Sequence, residues 1–234
     1  MNSMVIYIPI ITTLFAIVFV SEIYLHYKER KTKYLLWWTL GVLAFGLGTL
    51  AESVHALFGW HDINVRIWYI VGALLGGFPL AQGSVYLLMN KWFAHVTSLI
   101  FIGLICVASY YVINTPITIP EGFDYRLTSA VFDWKWVRQF SPLINIYSFL
   151  FLVGGAIYSA AKYYGMKDKR AHFKGNVFIA IGALLPGIGG TLTRIGYVEV
   201  LFITELIGLV FIYIGYRIIK TENKSSRKLI PKVI

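Results

Sequence analysis

Charge is scarce in this sequence, and negative charge is scarcer. Charged residues fill 14% of 234 positions, with 11 acidic against 21 basic side chains. A soluble domain carries about a quarter charged residues, so an ordinary water-facing surface is excluded. Cysteine is nearly missing. The lone Cys106 forbids an intrachain disulfide, leaves the compartment open, and is expected to behave as a small core hydrophobe. The chain also lacks H-E-x-x-H, G-x-S-x-G and P-loop patterns, so no hydrolase or nucleotide-binding signature is present.

What the sequence has instead is long apolar runs. Hydrophobic residues make up 58% of the chain and mean hydropathy is +0.69. A membrane-spanning helix needs roughly 20 mostly apolar residues. Seven such stretches are predicted, over 4–27, 34–58, 66–89, 93–113, 142–164, 174–194 and 197–219. The runs are continuous, whereas a barrel shows short alternating segments. The expected fold is therefore an all-α membrane protein, a seven-helix bundle forming one domain over 1–220. A basic cytoplasmic tail, 221–234, would follow, too short to hold a kinase or cyclase. No cleavable signal peptide is expected, because MNSMVIYIPI has no basic n-region and its apolar run continues past the length of an h-region.

The basic residues are distributed unevenly. Lys28, Arg30, Lys31 and Lys33 follow span 1, and Lys91 follows span 3. Lys162, Lys167, Lys169, Arg170 and Lys174 surround the connection between spans 5 and 6. Arg217, Lys220, Lys224, Arg227, Lys228 and Lys232 close the chain. Only Arg66, Arg126, Lys135, Arg138 and Arg194 fall on the opposite side. The positive-inside rule then puts the N-terminus outside and the C-terminus in the cytoplasm of a cell membrane. A net charge of +10 placed this way points to the lipid bilayer as partner and not to nucleic acid. The tail KTENKSSRKLIPKVI is a topological anchor or a docking site for a cytoplasmic signalling partner.

One connection is long, roughly 114–141. Its Trp134 and Trp136 fit an interfacial loop or a lid over an outward pocket. A second pattern is internal. In GVLAFGLG and GALLPGIG, Gly41, Leu43, Gly46 and Gly48 match Gly182, Leu184, Gly187 and Gly189. One further glycine, Gly190, then aligns Glu52 with Arg194. Spans 1–3 and 5–7 thus read as a parallel repeat joined by span 4, a 3+1+3 plan, or as chance similarity among glycine-rich helices. Gly72, Gly76, Gly77, Gly154 and Gly155 are expected at close helix contacts. Pro79 and Pro186 are expected to kink spans 3 and 6.

Polar residues within the apolar runs are the candidate site. A mid-membrane carboxylate costs about 3 kcal/mol on insertion scales. Glu52, with His55 one turn on, lies in the outer half of span 2, and Glu205 in the outer half of span 7. Arg194 closes span 6, while Arg66, Trp68 and Tyr69 open span 3. Glu52, His55, Arg194 and Glu205 would form one cluster, with Arg66, Tyr69 and Tyr197 at its mouth and Asn145 and Tyr147 lining it. Such a set serves either a structural network or a ligand or proton site. Nearer the cytoplasm lie Glu22, His26, Gln82, Ser84 and His95, which suit helix–helix hydrogen bonds.

No cofactor is predicted. Retinal bound in the usual way needs a lysine in the middle of the last helix, and VEVLFITELIGLVFIYIGYRIIK has one only at its end. Haem needs two facing imidazoles, and His55 is the sole histidine deep in a span. Glu52 and His55 make one E-x-x-H step, but a di-metal carboxylate site expects a second.

The run LAFGLGTLAESVHALFGW followed by RIWYIVGALLGG resembles the seven-helix sensor regions at the N-termini of some histidine kinases. It is also similar to uncharacterised prokaryotic seven-span proteins without effector domains. The resemblance covers residues 34–89, and Glu52 is its one matching polar position. It implies signal detection in or just outside the membrane, with any transmitter supplied by a partner. The leading expectation is a receptor-like or sensory protein that binds a small or lipidic ligand in an outward-facing polar pocket. The alternatives are a small-molecule transporter of 3+1+3 plan and an intramembrane enzyme, for which no catalytic residue is identified.

Overall fold

The computed structural model describes residues 5–119, 121, 123, 127–194 and 197–228. Seven helical segments in it are long and apolar enough to cross a membrane: Ile8–Arg30, Lys33–Phe58, Asp62–Leu88, Lys91–Asn114, Lys135–Tyr163, Lys167–Thr193 and Glu199–Glu222. The chain is thus an all-helical membrane protein. Among the described residues the sole extended pairing is one bridge, Ile117 with Phe132. Arg126 and Lys232 lie outside the described residues, as does the end of the tail.

The segments resolve into shorter elements. Helix α1 (Ile8–Arg30) turns into α2 (Lys33–Phe58) through Lys31, whose φ of 49° is left-handed. The third span is broken: α3 (Asp62–Trp68), a π-helical turn (Tyr69–Leu74), a bend, then α4 (Phe78–Leu88). After α5 (Lys91–Asn114) the fifth span is α6 (Phe140–Ser148), a second π turn (Phe149–Val153) and α7 (Gly154–Tyr163). Helices α8 (Arg170–Arg194) and α9 (Val198–Lys228) complete the chain. Pro79 does not kink a continuous helix as expected. It lies in the first turn of α4, where its missing N–H leaves no bond unmade. Pro186 lies inside α8, which runs through it.

The chain divides within the fifth span into two compact units, Met1–Phe151 and Leu152–Ile234. In the first, α2 packs antiparallel on the third span through backbone approaches. A Cβ on Gly48 would come within 3.3 Å of Gly72 Cα, and one on Gly41 within 2.5 Å of Leu80 Cγ. The Trp38 indole occupies the space a Cβ on Gly83 would need. Gly77 meets Ser148 of α6, so bend and α6 share a tight seam. The connection after α5 is packed too. Val131 and Phe132 are fully buried, Thr118 N donates to Val131 O at 3.0 Å, and Trp134 N donates to Thr115 Oγ1 at 3.0 Å.

In the second unit α8 and α9 form an antiparallel pair. Gly175 faces Gly215, Gly182 faces Gly208, and Gly189 faces Leu201 and Thr204. The seven-residue spacing on both helices keeps one seam facing the partner, as in left-handed packing. Gly154 does not support a close contact as expected, since no atom lies within 4 Å of its Cβ direction. Cys106 is exposed instead of in the core. It shares a face of α5 with exposed Ile102 and Ile113, a face a bilayer would cover, and a small apolar thiol suits acyl chains as well as a protein interior.

Candidate functional site

Among the described residues, Glu52 is the buried acid of the first unit, 4% exposed near the end of α2. The α2–α3 turn makes this possible. Gly59 takes φ +78°, and Trp60 Nε1 donates to Asp62 Oδ1 at 2.8 Å as α3 begins. Helix α3 then runs back along α2. Asn64 Nδ2 donates to Ala51 O at 2.8 Å, and one turn later Trp68 Nε1 donates to Glu52 Oε1 at 3.1 Å. On the α1 side, Thr13 Oγ1 lies 2.9 Å from Thr49 Oγ1 and 3.4 Å from Ser53 Oγ. Hydroxyls thus join α1 to α2, and Asn64 and Trp68 tie α3 to α2. The His55 ring meets Trp60 edge-on at 6.4 Å, and Trp60 meets Phe123 at 5.3 Å.

Tyr69 is the first residue of the π turn. It is buried, and its ring packs edge-on against Phe132 at 5.3 Å, so the long connection rests on the unwound segment. Arg66 is half-buried and donates from Nη1 to Val112 O, near the C-terminal end of α5. That is where a helix dipole favours a cation. Its guanidinium is thus occupied at α5. An open recess of about 760 Å³ lies at the α2–α3 turn, lined by Val54, Trp60, His61, Asp62, Ile63, Asn64 and Ile67.

Tyr147 and Asn145 separate. Asn145 is exposed on α6 and donates to Ser141 Oγ at 3.1 Å. Tyr147 is buried and donates to Gln82 Oε1 at 2.6 Å. Gln82 Nε2 donates in turn to Ala94 O at 2.8 Å, with Thr97 Oγ1 at 3.3 Å. Tyr147 therefore belongs to a polar knot with Gln82, while Glu52 is held by Trp68.

Arg194, Tyr197 and Glu205 belong to the second unit. Arg194 is the last residue of α8, Tyr197 is exposed, and Glu205 is half-buried on α9. The glycine register sets Glu205 level with the turn holding Pro186. At 1.5 Å per residue, the Arg194 backbone lies about 13 Å further along the pair. Among the described residues, no three His, Cys, Asp or Glu side chains cluster as metal ligands would.

The sequence reading brought out Glu52 and Trp68 but missed Thr13, Thr49, Ser53, Asn64 and Thr97 as bridging groups. The available signal was hydroxyls spaced by four on an apolar helix, as in Thr49 and Ser53. Comparison of the chain with protein-family models, with curated proteins and with solved structures finds no match.

Proposed function

We propose that this is a receptor-like, sensory protein of the cell membrane, with its N-terminus outside and its C-terminus in the cytoplasm. Its input would be a small or lipidic ligand, or a proton, acting at Glu52. The observation that carries this is the Glu52–Trp68 hydrogen bond, because Trp68 immediately precedes the π turn Tyr69–Leu74. π turns concentrate at functional sites. A change of charge or hydrogen bonding at Glu52 bears directly on a segment that has left regular helical pairing. The buried Tyr69–Phe132 contact would carry it to the long connection. The 3+1+3 plan belongs to the same proposal. Gly41 and Gly48 pack on the third span as Gly182 and Gly189 pack on the seventh, and this similar use of glycine supports duplication.

The test is a thermal-shift screen of small and lipidic ligands on purified wild type and Glu52→Gln, followed by hydrogen exchange over Tyr69–Gly77. A hit is expected to stabilise wild type, lose its effect in Glu52→Gln and slow exchange in that segment. Identical ligand profiles in the two proteins would reject the site. One observation favours transport as a second reading: discontinuous helices such as the third span often line transporter sites. Uptake of the same hit into proteoliposomes would decide for it.

A further inference from the structure

At the other end of the first unit, three groups converge without an acid. Lys33 begins α2, Tyr86 is in the last turn of α4, and His95 is in the first turns of α5. Lys33 Nζ lies 3.2 Å from His95 Nε2, and His95 Nδ1 lies 2.8 Å from Tyr86 Oη. A lysine ammonium only donates, so His95 Nε2 must accept and Nδ1 must carry the ring proton toward Tyr86. Ser98 Oγ lies 3.3 Å from Tyr86 Oη, but its single proton goes to Ala94 O at 2.7 Å. Two Lys33 N–H groups are then left over as donors, and the Tyr86 hydroxyl proton has only the long contact to Ser98 Oγ. Among the described residues, no carboxylate forms an ion pair with Lys33, whose other neighbour is the Tyr86 ring, 5.8 Å from Nζ. Two basic groups in contact with surplus donors lack an anionic acceptor.

The surroundings indicate which anion. Lys31 and Lys91 lie at the same end, as do the N-terminal ends of α2 and α5. Trp37 stacks on Tyr86 at 6.2 Å and fixes its ring. Below His95 on its face of α5, Leu99 is 76% exposed and Ile102 is 44% exposed, and Trp92 is exposed one turn above. An exposed apolar track running away from a cationic head matches a phospholipid, with acyl chain on the track and phosphate at the head.

We infer that Lys33, His95 and Tyr86 form a seat for the phosphate of an anionic phospholipid. The phosphate oxygens would take the spare Lys33 and Tyr86 donors and separate the two basic groups. The test is native mass spectrometry of the full chain in detergent, with added phosphatidylglycerol, phosphatidylcholine or inorganic phosphate. Wild type is expected to retain phosphatidylglycerol over phosphatidylcholine. Lys33→Gln should lower that retention about tenfold, the scale of one charge-assisted hydrogen bond, and His95→Gln, which removes the group holding Lys33 and Tyr86 together, should lower it too. Lys135→Gln, which removes the same charge elsewhere, and Lys33→Arg should bind like wild type. Equal retention of both lipids, or equal loss in Lys33→Gln and Lys135→Gln, would overturn the seat. Competition by millimolar inorganic phosphate would replace the lipid with a free anion and equally overturn it. Tyr86→Phe, which keeps the ring and drops only the hydroxyl, supplies the same comparison should Lys33→Gln fail to fold.

Discussion

Gln82 has both ends of its amide engaged inside the first unit, and its side chain is 0% exposed. It joins α4 to α5 through Ala94 O and to α6 through the Tyr147 hydroxyl. Aromatic rings close around the knot, with Phe101 4.0 Å and Phe151 4.7 Å from the Tyr147 ring. In an apolar setting each polar group left without a partner is costly, so the substitutions grade. Tyr147→Phe removes one bond and is expected to cost about 1 kcal/mol. Gln82→Leu strands the Tyr147 hydroxyl and loses the bond to Ala94 O, and should cost about 2–3 kcal/mol. Unfolding in mixed micelles would measure both, and equal values would show that the amide contributes nothing beyond the tyrosine bond. Glu52 should behave differently. Glu52→Gln keeps an acceptor for Trp68 Nε1 and removes a buried acid, so it should lower stability less than loss of the Trp68 donor does. Trp68→Phe removes the donor and a large ring, and should cost about 1–3 kcal/mol in the same assay.

At the level of elements, glycine decides where helices meet. In α8 and α9 the seam leaves no room for a side chain: a Cβ on Gly182 would come within 2.6 Å of Gly208 O and 2.8 Å of Ile212 N. These are backbone atoms, so the helices themselves must part. Gly182→Leu is expected to destabilise the second unit by more than about 2 kcal/mol, read as loss of folded protein in micelle unfolding. Gly103 on α5 is the control, because nothing lies within 4 Å of its Cβ direction and alanine favours the helix, so Gly103→Ala should be neutral or mildly stabilising. The glycines stood out in the sequence, but not which of them face a partner. Gly103 and Gly182 look alike there because small residues are equally tolerated by lipid and by a close neighbour. The break in the third span was only half legible. Pro79 marked it, yet the π turn before it depends on Gly48 and Phe132 from elsewhere in the chain. Hydrogen exchange without ligand should be faster over Tyr69–Gly77 than over Phe78–Leu88.

For the whole molecule, the number of spans was legible, since length and apolarity alone set it; α2 begins at Lys33 and ends at Phe58, against an expected 34–58, but the fifth and sixth spans begin at Lys135 and Lys167, against an expected 142 and 174. The polar cluster was less so, because depth along a helix says nothing of azimuth. Asn145 and Tyr147 share a depth but point differently, one exposed and one buried. Orientation across the bilayer rests on charge bias, and one experiment tests it. With Cys106→Ser removing the native thiol, a single cysteine is placed at Lys31 or at Lys135. Both positions are exposed, and they lie in connections on opposite sides of the first unit's helices. A membrane-impermeant maleimide added to intact cells is expected to label position 135 and to spare position 31 until the cells are permeabilised. The basic residues around Lys31 would then be held by the anionic inner leaflet. The reverse pattern would place the end near Glu52 on the cytoplasmic side, so its ligand would be an internal metabolite or lipid and the direction of any signal would invert.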